Sequence, residues 1–262
     1  MTFNEFYNYI ETNAPSSQLF NDLKLINTKS LNKTININEK KLSNLINIYN
    51  KYEYPKITCG ILTYNEEKNI NRCLNSLYYL FDELLVLDSC STDRTIDILK
   101  SYSKVTTFQV PWKNDFSHHR NLIIEKAKFN WIYFIDADNW LNTSDLLIFK
   151  KVAKVIEFFK IEGVVSPNII EHNNHIYTDN RRMFQKNQGI KFYGYVHEEP
   201  ILKNGNYPND IPVNIEVYHD GYDENKINLD NKSKRNIHLT KKMIEIEPEN
   251  PKWLYFYARE SY

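Results

Sequence analysis

Four short apolar runs, each followed by a stretch of helical spacing, constrain this chain more than any other feature. They are Ile57 to Tyr64, Glu83 to Leu87, Val105 to Val110 and Trp131 to Ile135. After the first, Ile70, Leu74 and Leu77 share one helical face; after the second, Ile96, Leu99 and Tyr102 do the same. Phe116 to Lys126 supplies a third helix between the last two runs. This β-α-β-α-β-α-β order predicts a Rossmann-like α/β fold with a mainly parallel sheet. Parallel neighbours need crossover connections, and the crossover helices cover both faces.

The fourth run ends on Asp136-Ala137-Asp138. Five apolar residues, aromatic or β-branched, read as a strand buried on both faces, and packing gives no reason for it to end on two acids. In an open α/β sheet ligands gather outside the carboxyl ends of the strands. Glu66 follows the first strand and Asp88 closes the second, so four acids are expected at one sheet edge. No GxGxxG follows the first strand and no GxxxxGK[ST] occurs. With 6 Gly in the whole chain, a glycine-rich phosphate cradle is not expected. A divalent cation is the remaining way to hold phosphate against carboxylates.

The flanks differ from this central unit. Residues 1–54 read as short helices, with Phe3, Phe6, Tyr7 and Ile10 on one face and Leu42, Leu45, Ile46 and Tyr49 on another; Ser30 to Asn38 reads as loop, and Pro55 marks a boundary. After Asn142 a helix is expected to about Phe159, started by Thr143 or Ser144. A short strand from Gly163 to Ser166 should be stopped by Pro167. Ile169 to Tyr218 is loop-rich and charged, the usual composition of an acceptor side. Two helices follow, Asn231 to Glu247 and Pro251 onward, and the Pro248-Glu249-Asn250-Pro251 turn resembles a tetratricopeptide junction. The expected division is 1–54, 55–228 and 229–262. One partial repeat cannot bury its own apolar face, so a longer natural chain is expected.

Lys+Arg and Asp+Glu are equal at 33 each, which gives no footprint for nucleic acid or anionic membrane. Cys59, Cys73 and Cys90 form no CxxC pair. With no basic-apolar leader and no run near the length of a membrane helix, a reducing cytoplasm is expected.

Thr63-Tyr64-Asn65-Glu66, Leu87-Asp88-Ser89, Ser91-Thr92-Asp93 and Asp136-Ala137-Asp138 resemble the corresponding segments of inverting family 2 glycosyltransferases of the GT-A fold. Trp112 to Ser117, Arg120-Asn121, Val196-His197-Glu198-Glu199-Pro200 and Glu247 to Trp253 are similar to the sublancin-type peptide S-glycosyltransferases. Those enzymes modify Cys, or in some members Ser or Thr, of bacteriocin precursor peptides.

The resemblance implies a UDP-sugar donor, Mg²⁺ or Mn²⁺, and an acceptor peptide. It implies Tyr64 beside the base, Glu66 near the ribose, and Asp88 on the uracil or ribose. It implies Asp136 toward the ribose or donor sugar, and Asp138 with His219 on the metal. Asp93 also fits as a helix cap, and His219 as a structural histidine. Arg181 and Arg182 are candidates for the diphosphate, but neighbours on a strand point apart, so one of them should serve the surface. Glu198 and Glu199 are candidates for the general base, with Glu198 preferred. His118 and His119, about 100° apart on a helix, make a poor ligand pair. The family's longer helical C-terminal region implies homodimerisation. Two other functions stay open: the same transfer to a lipopolysaccharide core or other glycan, and a non-catalytic scaffold.

Overall fold

The structure, a computed structural model, describes residues 1–31, 33–35, 42–219 and 229–261. Three helices come first, α1 (Phe3–Asn13), α2 (Gln18–Leu23) and α3 (Leu42–Lys51). The alternating unit follows: β1 (Ile57–Thr63), α4 (Ile70–Leu77), β2 (Glu83–Asp88), α5 (Thr95–Lys100), β3 (Val105–Gln109), α6 (Phe116–Lys126) and β4 (Trp131–Asp136). Then come β5 (Asn139–Leu141), α7 (Ile148–Phe158), β6 (Val164–Glu171), β7 (Ile176–Tyr177), β8 (Met183–Gln185), β9 (Lys191–Tyr193), β10 (Glu199–Ile201) and β11 (Asp210–His219). The chain closes on α8 (Leu229–Ile246) and α9 (Pro251–Ser261).

Among the described residues the main sheet has the order β3-β2-β1-β4-β8-β6-β11-β5, with β7 on β6. The β3-β2-β1-β4 half is parallel throughout, as the alternation requires. β8 runs antiparallel between β4 and β6, and β5 antiparallel to β11. The small β9–β10 hairpin stands apart.

Side chains of period two divide the sheet between two cores. Cys59, Ile61, Leu84, Val86, Tyr133 and Ile135 face one, together with α4, α7 and the N-terminal helices. Leu85, Leu87, Ile132 and Phe134 face the other, under α6 and β9. The N-terminal helices share the first core: Phe3, Phe6 and Ile10 are fully buried, and Asn214 N donates to Leu25 O at 2.8 Å.

Three boundaries differ from expectation. α7 begins at Ile148, because Asp145 accepts from Leu147 N and folds Thr143 to Leu147 into a turn. β6 continues through Pro167 to Glu171. Pro167 lies where the ladder to β11 is irregular, the two steps from Ser166 to Asn168 facing four from Pro212 to Glu216, so its missing N–H breaks no regular pair. β5 was not anticipated and turns the chain back directly after Asp138. Residues 36–38 of the expected loop, and Asp220 to Tyr222, lie outside the described residues.

Gly60 lets α6 approach the sheet, since a Cβ there would stand 2.6 Å from Ile123 Cγ2 and 3.0 Å from a Phe134 ring carbon. Gly60→Val should cost about 1–3 kcal/mol by overpacking. Urea denaturation of the two proteins checks this.

Candidate active site

The register of the parallel half brings the acids to one edge. Thr63 pairs with Asp88 and Leu62 with Asp136, so β1, β2 and β4 end side by side. Asp138 lies in the turn to β5, and the β5–β11 pairing sets His219 opposite Asn139.

Arg120 organises the centre. It is 3% exposed, on the α6 face that also carries Ile123. Its NH2 donates to Asp136 Oδ1 at 2.8 Å and its Nε to Glu198 Oε1 at 2.5 Å. Phe134 and Phe192 flank the guanidinium, each ring centroid 5.4 Å away. Arg182 adds its NH2 3.5 Å from Asp136 Oδ2 and its NH1 3.9 Å from Glu198 Oε1. Burial opposes ionisation of Asp136, but Arg182 and Arg120 outweigh it and hold the carboxyl well below the usual range. Asp136 still keeps 42% of its side chain exposed toward the crevice.

The neighbours of these residues point elsewhere. Arg181 pairs with Asp179 at 3.1 Å and lies over Tyr207. Glu199 bonds Lys252 Nζ at 2.6 Å. Arg182 and Glu198 thus share the Arg120 and Asp136 cluster, whereas Arg181 and Glu199 are paired elsewhere.

Asp138 and His219 form a second cluster. Asp138 Oδ2 lies 3.2 Å from His219 Nε2, and His219 Nδ1 lies 3.1 Å from Glu171 Oε1. Burial would lower the imidazole pKa, but these two carboxylates raise it to about 9. The pair fits a divalent cation: two ligands about 2.1 Å from an octahedral ion, at right angles, stand about 3 Å apart. Glu171 occupies the outer position that commonly orients a ligating imidazole. Among the described residues, no group of three or more His, Cys, Asp or Glu is placed to hold an ion.

Glu66 stands near these acids. Burial first, then Asp138, Asp136 and Asp93, raise it to about 7, against an opposing hydrogen bond from Asn69. Tyr64 is 57% exposed at the same edge. Asp88 is fully buried and accepts from Thr63 Oγ1 (3.0 Å), Ser91 N (2.9 Å), Ser91 Oγ (2.5 Å) and Gln109 Nε2 (3.0 Å). These bonds fill the carboxylate's lone-pair positions, so Asp88 shapes the Ser89 to Asp93 loop from beneath. Asp93 accepts from Thr95 N and Glu67 N and ties that loop to the one after β1. His118 is exposed and His119 buried, as expected of adjacent helical positions.

Residues 58–217 match the family described as Glycosyl transferase family 2. The chain belongs to glycosyl transferase family 2. Within it, the SPbeta prophage-derived glycosyltransferase SunS of Bacillus subtilis (strain 168) is 46% identical over 99% of this chain and 62% of its own length. The SunS of Bacillus phage SPbeta matches equally. The chain thus spans about 62% of the length of these curated relatives. A shorter match is the poly(ribitol-phosphate) beta-N-acetylglucosaminyltransferase TarS of Staphylococcus aureus (strain Mu50), 31% identical over 35% of this chain and 18% of its own length. The crystal structure of TarS 1–349 in complex with UDP aligns over 78% of this chain and 70% of that one, with a TM-score of 0.46 and 17% identity. Family membership and the observed sheet order together give the family 2 chain the GT-A α/β fold that the motifs implied.

Arg120 and Glu171 were legible only in part. Arg120 is a charge on an otherwise apolar helical face, which demands a buried partner. Glu171 ends an apolar strand just as Asp136 does.

The Glu66 shift gives a pH test. Below about pH 4.5 Glu66 is protonated whether folded or unfolded. Between 4.5 and 7 the folded protein keeps the proton that the unfolded chain has released, so stability falls as pH rises. The loss reaches about 3 kcal/mol above pH 7. In metal-free buffer, the stability of wild type relative to Glu66→Gln, read from urea midpoints, should fall as pH rises across this window.

Proposed function

We propose that this chain is a metal-dependent inverting hexosyltransferase. It moves a hexose, glucose as the leading candidate, from a UDP-sugar to a Cys, or a Ser or Thr, of a bacteriocin precursor peptide. The observation that carries this reading is the Arg120 bridge, which ties a donor-side acid, Asp136, to an acceptor-side acid, Glu198. Likeness to SunS across nearly the whole chain supports it.

Asp138 and His219 would hold Mg²⁺ or Mn²⁺. Such an ion, when bound, neutralises charge on the departing diphosphate. Tyr64, Glu66 and the loop shaped by Asp88 hold the nucleoside, and Asp136, kept ionised by Arg120 and Arg182, orients the donor. Glu198 is the base. Both guanidinium groups hold Oε1, which leaves Oε2 to take the acceptor proton. The acceptor sulfur or oxygen attacks the anomeric carbon, the bond from that carbon to the phosphate oxygen breaks, and its electron pair leaves with UDP. One displacement of this kind inverts the anomeric centre. Glu199, bound to Lys252, stays outside the reaction.

A Cys acceptor needs the base less than a Ser acceptor, because a free thiol of pKa about 8.5 is already a few per cent ionised at neutral pH. Glu198→Gln should lower transfer to a Ser peptide by about 10²–10⁴ and transfer to the matched Cys peptide by clearly less. Single-turnover rates on the two peptides check this, and equal losses would remove Glu198 as base. For the function itself, the protein is incubated with UDP-glucose, Mn²⁺ and a Cys-containing precursor peptide. A hexose-sized mass gain that survives cleavage of O-linked sugars is expected. UDP release should need the metal and vanish in Asp138→Ala; no release from any nucleotide sugar by the wild type contradicts the proposal.

A further inference from the structure

Glu198 sits at the end of a strained connection. Between β9 and β10 the chain passes through two positive-φ residues, Gly194 at +111° and His197 at +49°. A histidine in the left-handed region persists only where its surroundings fix it. Here the surroundings come from the last two helices.

The His197 ring stacks on Phe256 of α9, with centroids 3.8 Å apart and planes 9° from parallel. Its Nε2 lies 3.4 Å from Glu260 Oε1 on the same helix. Burial, with Arg259, Lys252 and Arg235 nearby, lowers His197 to about 3, so the ring stacks uncharged. A Cβ at Gly194 would stand 3.0 Å from Trp253 Cη2, and Trp253 is buried with its Nε1 donating to Glu247 at 2.7 Å. Tyr195 N lies 3.5 Å from Met243 Sδ on α8. Beyond the base, Glu199 is bonded to Lys252. The residues on both sides of Glu198 are therefore held by the helical tail, while Glu198 itself bonds Arg120.

We propose that α8 and α9 are a positioning element of the acceptor loop: by gripping His197 and Glu199 they turn Glu198 onto Arg120 and into the crevice. Phe256 is the positioning residue that acts most directly. The histidine of the His-Glu pair is thereby a socket for a helix rather than a ligand or proton carrier. The catalytic part of this inference rests on Glu198 being the base; the mechanical part does not.

The test combines hydrogen exchange of the 194–199 segment with steady-state transfer, on wild type, Phe256→Ala, Phe256→Tyr and Lys252→Met. Phe256 is half-buried and Lys252 lies at the start of α9, so neither change removes a core residue. Phe256→Ala should speed exchange in the segment by about ten-fold while β1 and β4 stay protected. Its kcat for transfer should fall about 10- to 100-fold through misplacement of the base, with the KM for the UDP-sugar changed by less than about two-fold. Phe256→Tyr, which keeps the stack, should restore both, and Lys252→Met should show the same pattern more weakly. Unchanged exchange in Phe256→Ala and Lys252→Met overturns the proposal. So does a Phe256→Tyr variant as impaired as Phe256→Ala, or a fall in kcat matched by an equal rise in donor KM. If wild type transfers sugar to no peptide, the functional reading fails while the exchange result still decides whether the tail holds the loop.

Discussion

The arrangement of the site depends on one buried guanidinium. Arg120 can lie under α6 only because two carboxylates meet it, for an unpaired charge in that position would cost several kcal/mol. Burial works against its charged form, and Glu198 with Asp136 more than compensates. Those carboxylates come from distant parts of the chain: Asp136 from the end of β4, Glu198 from the β9–β10 connection. Satisfying one buried charge therefore fixes the distance between the sheet edge, where a donor is expected, and the loop, where an acceptor is expected. Gly60 contributes at one remove, since it sets how closely α6 and Arg120 approach the sheet.

A different electrostatic arrangement governs the Asp138 and His219 side. His219 lies between Glu171 and Asp138, reached through β6 and β11 in register. Glu66, Asp136 and Asp138 stand close to one another at this edge, facing Arg120, Arg182 and His219. The proposed metal would bind through Asp138 and His219, with the diphosphate held through it.

Much of this was legible in the sequence, for physical reasons. Buried strands must be apolar and must alternate with crossover helices, so β1 to β4 show plainly and their carboxyl ends locate Glu66, Asp88, Asp136 and Asp138. Of Arg181 and Arg182 the sequence required only that one serve the surface, and Arg181 takes that place, paired with Asp179. Antiparallel additions were harder: β5 has three residues, and β6 contains a proline whose missing N–H falls where the ladder is already irregular. Residue type alone did not show that Asp88 would have its oxygens filled by Thr63, Ser91 and Gln109. Nor could it show that His197 would stack on Phe256, about sixty positions away, because long-range pairing leaves no period in a sequence.

The most direct measurement is a crystal structure of the protein with UDP and Mn²⁺, using anomalous scattering to place the ion. Manganese is expected about 2 Å from the Asp138 carboxylate and His219 Nε2, with the diphosphate on the same ion and Glu198 still held by Arg120. Manganese bound away from Asp138 and His219, or Glu198 turned off Arg120 with the nucleotide in place, would contradict it.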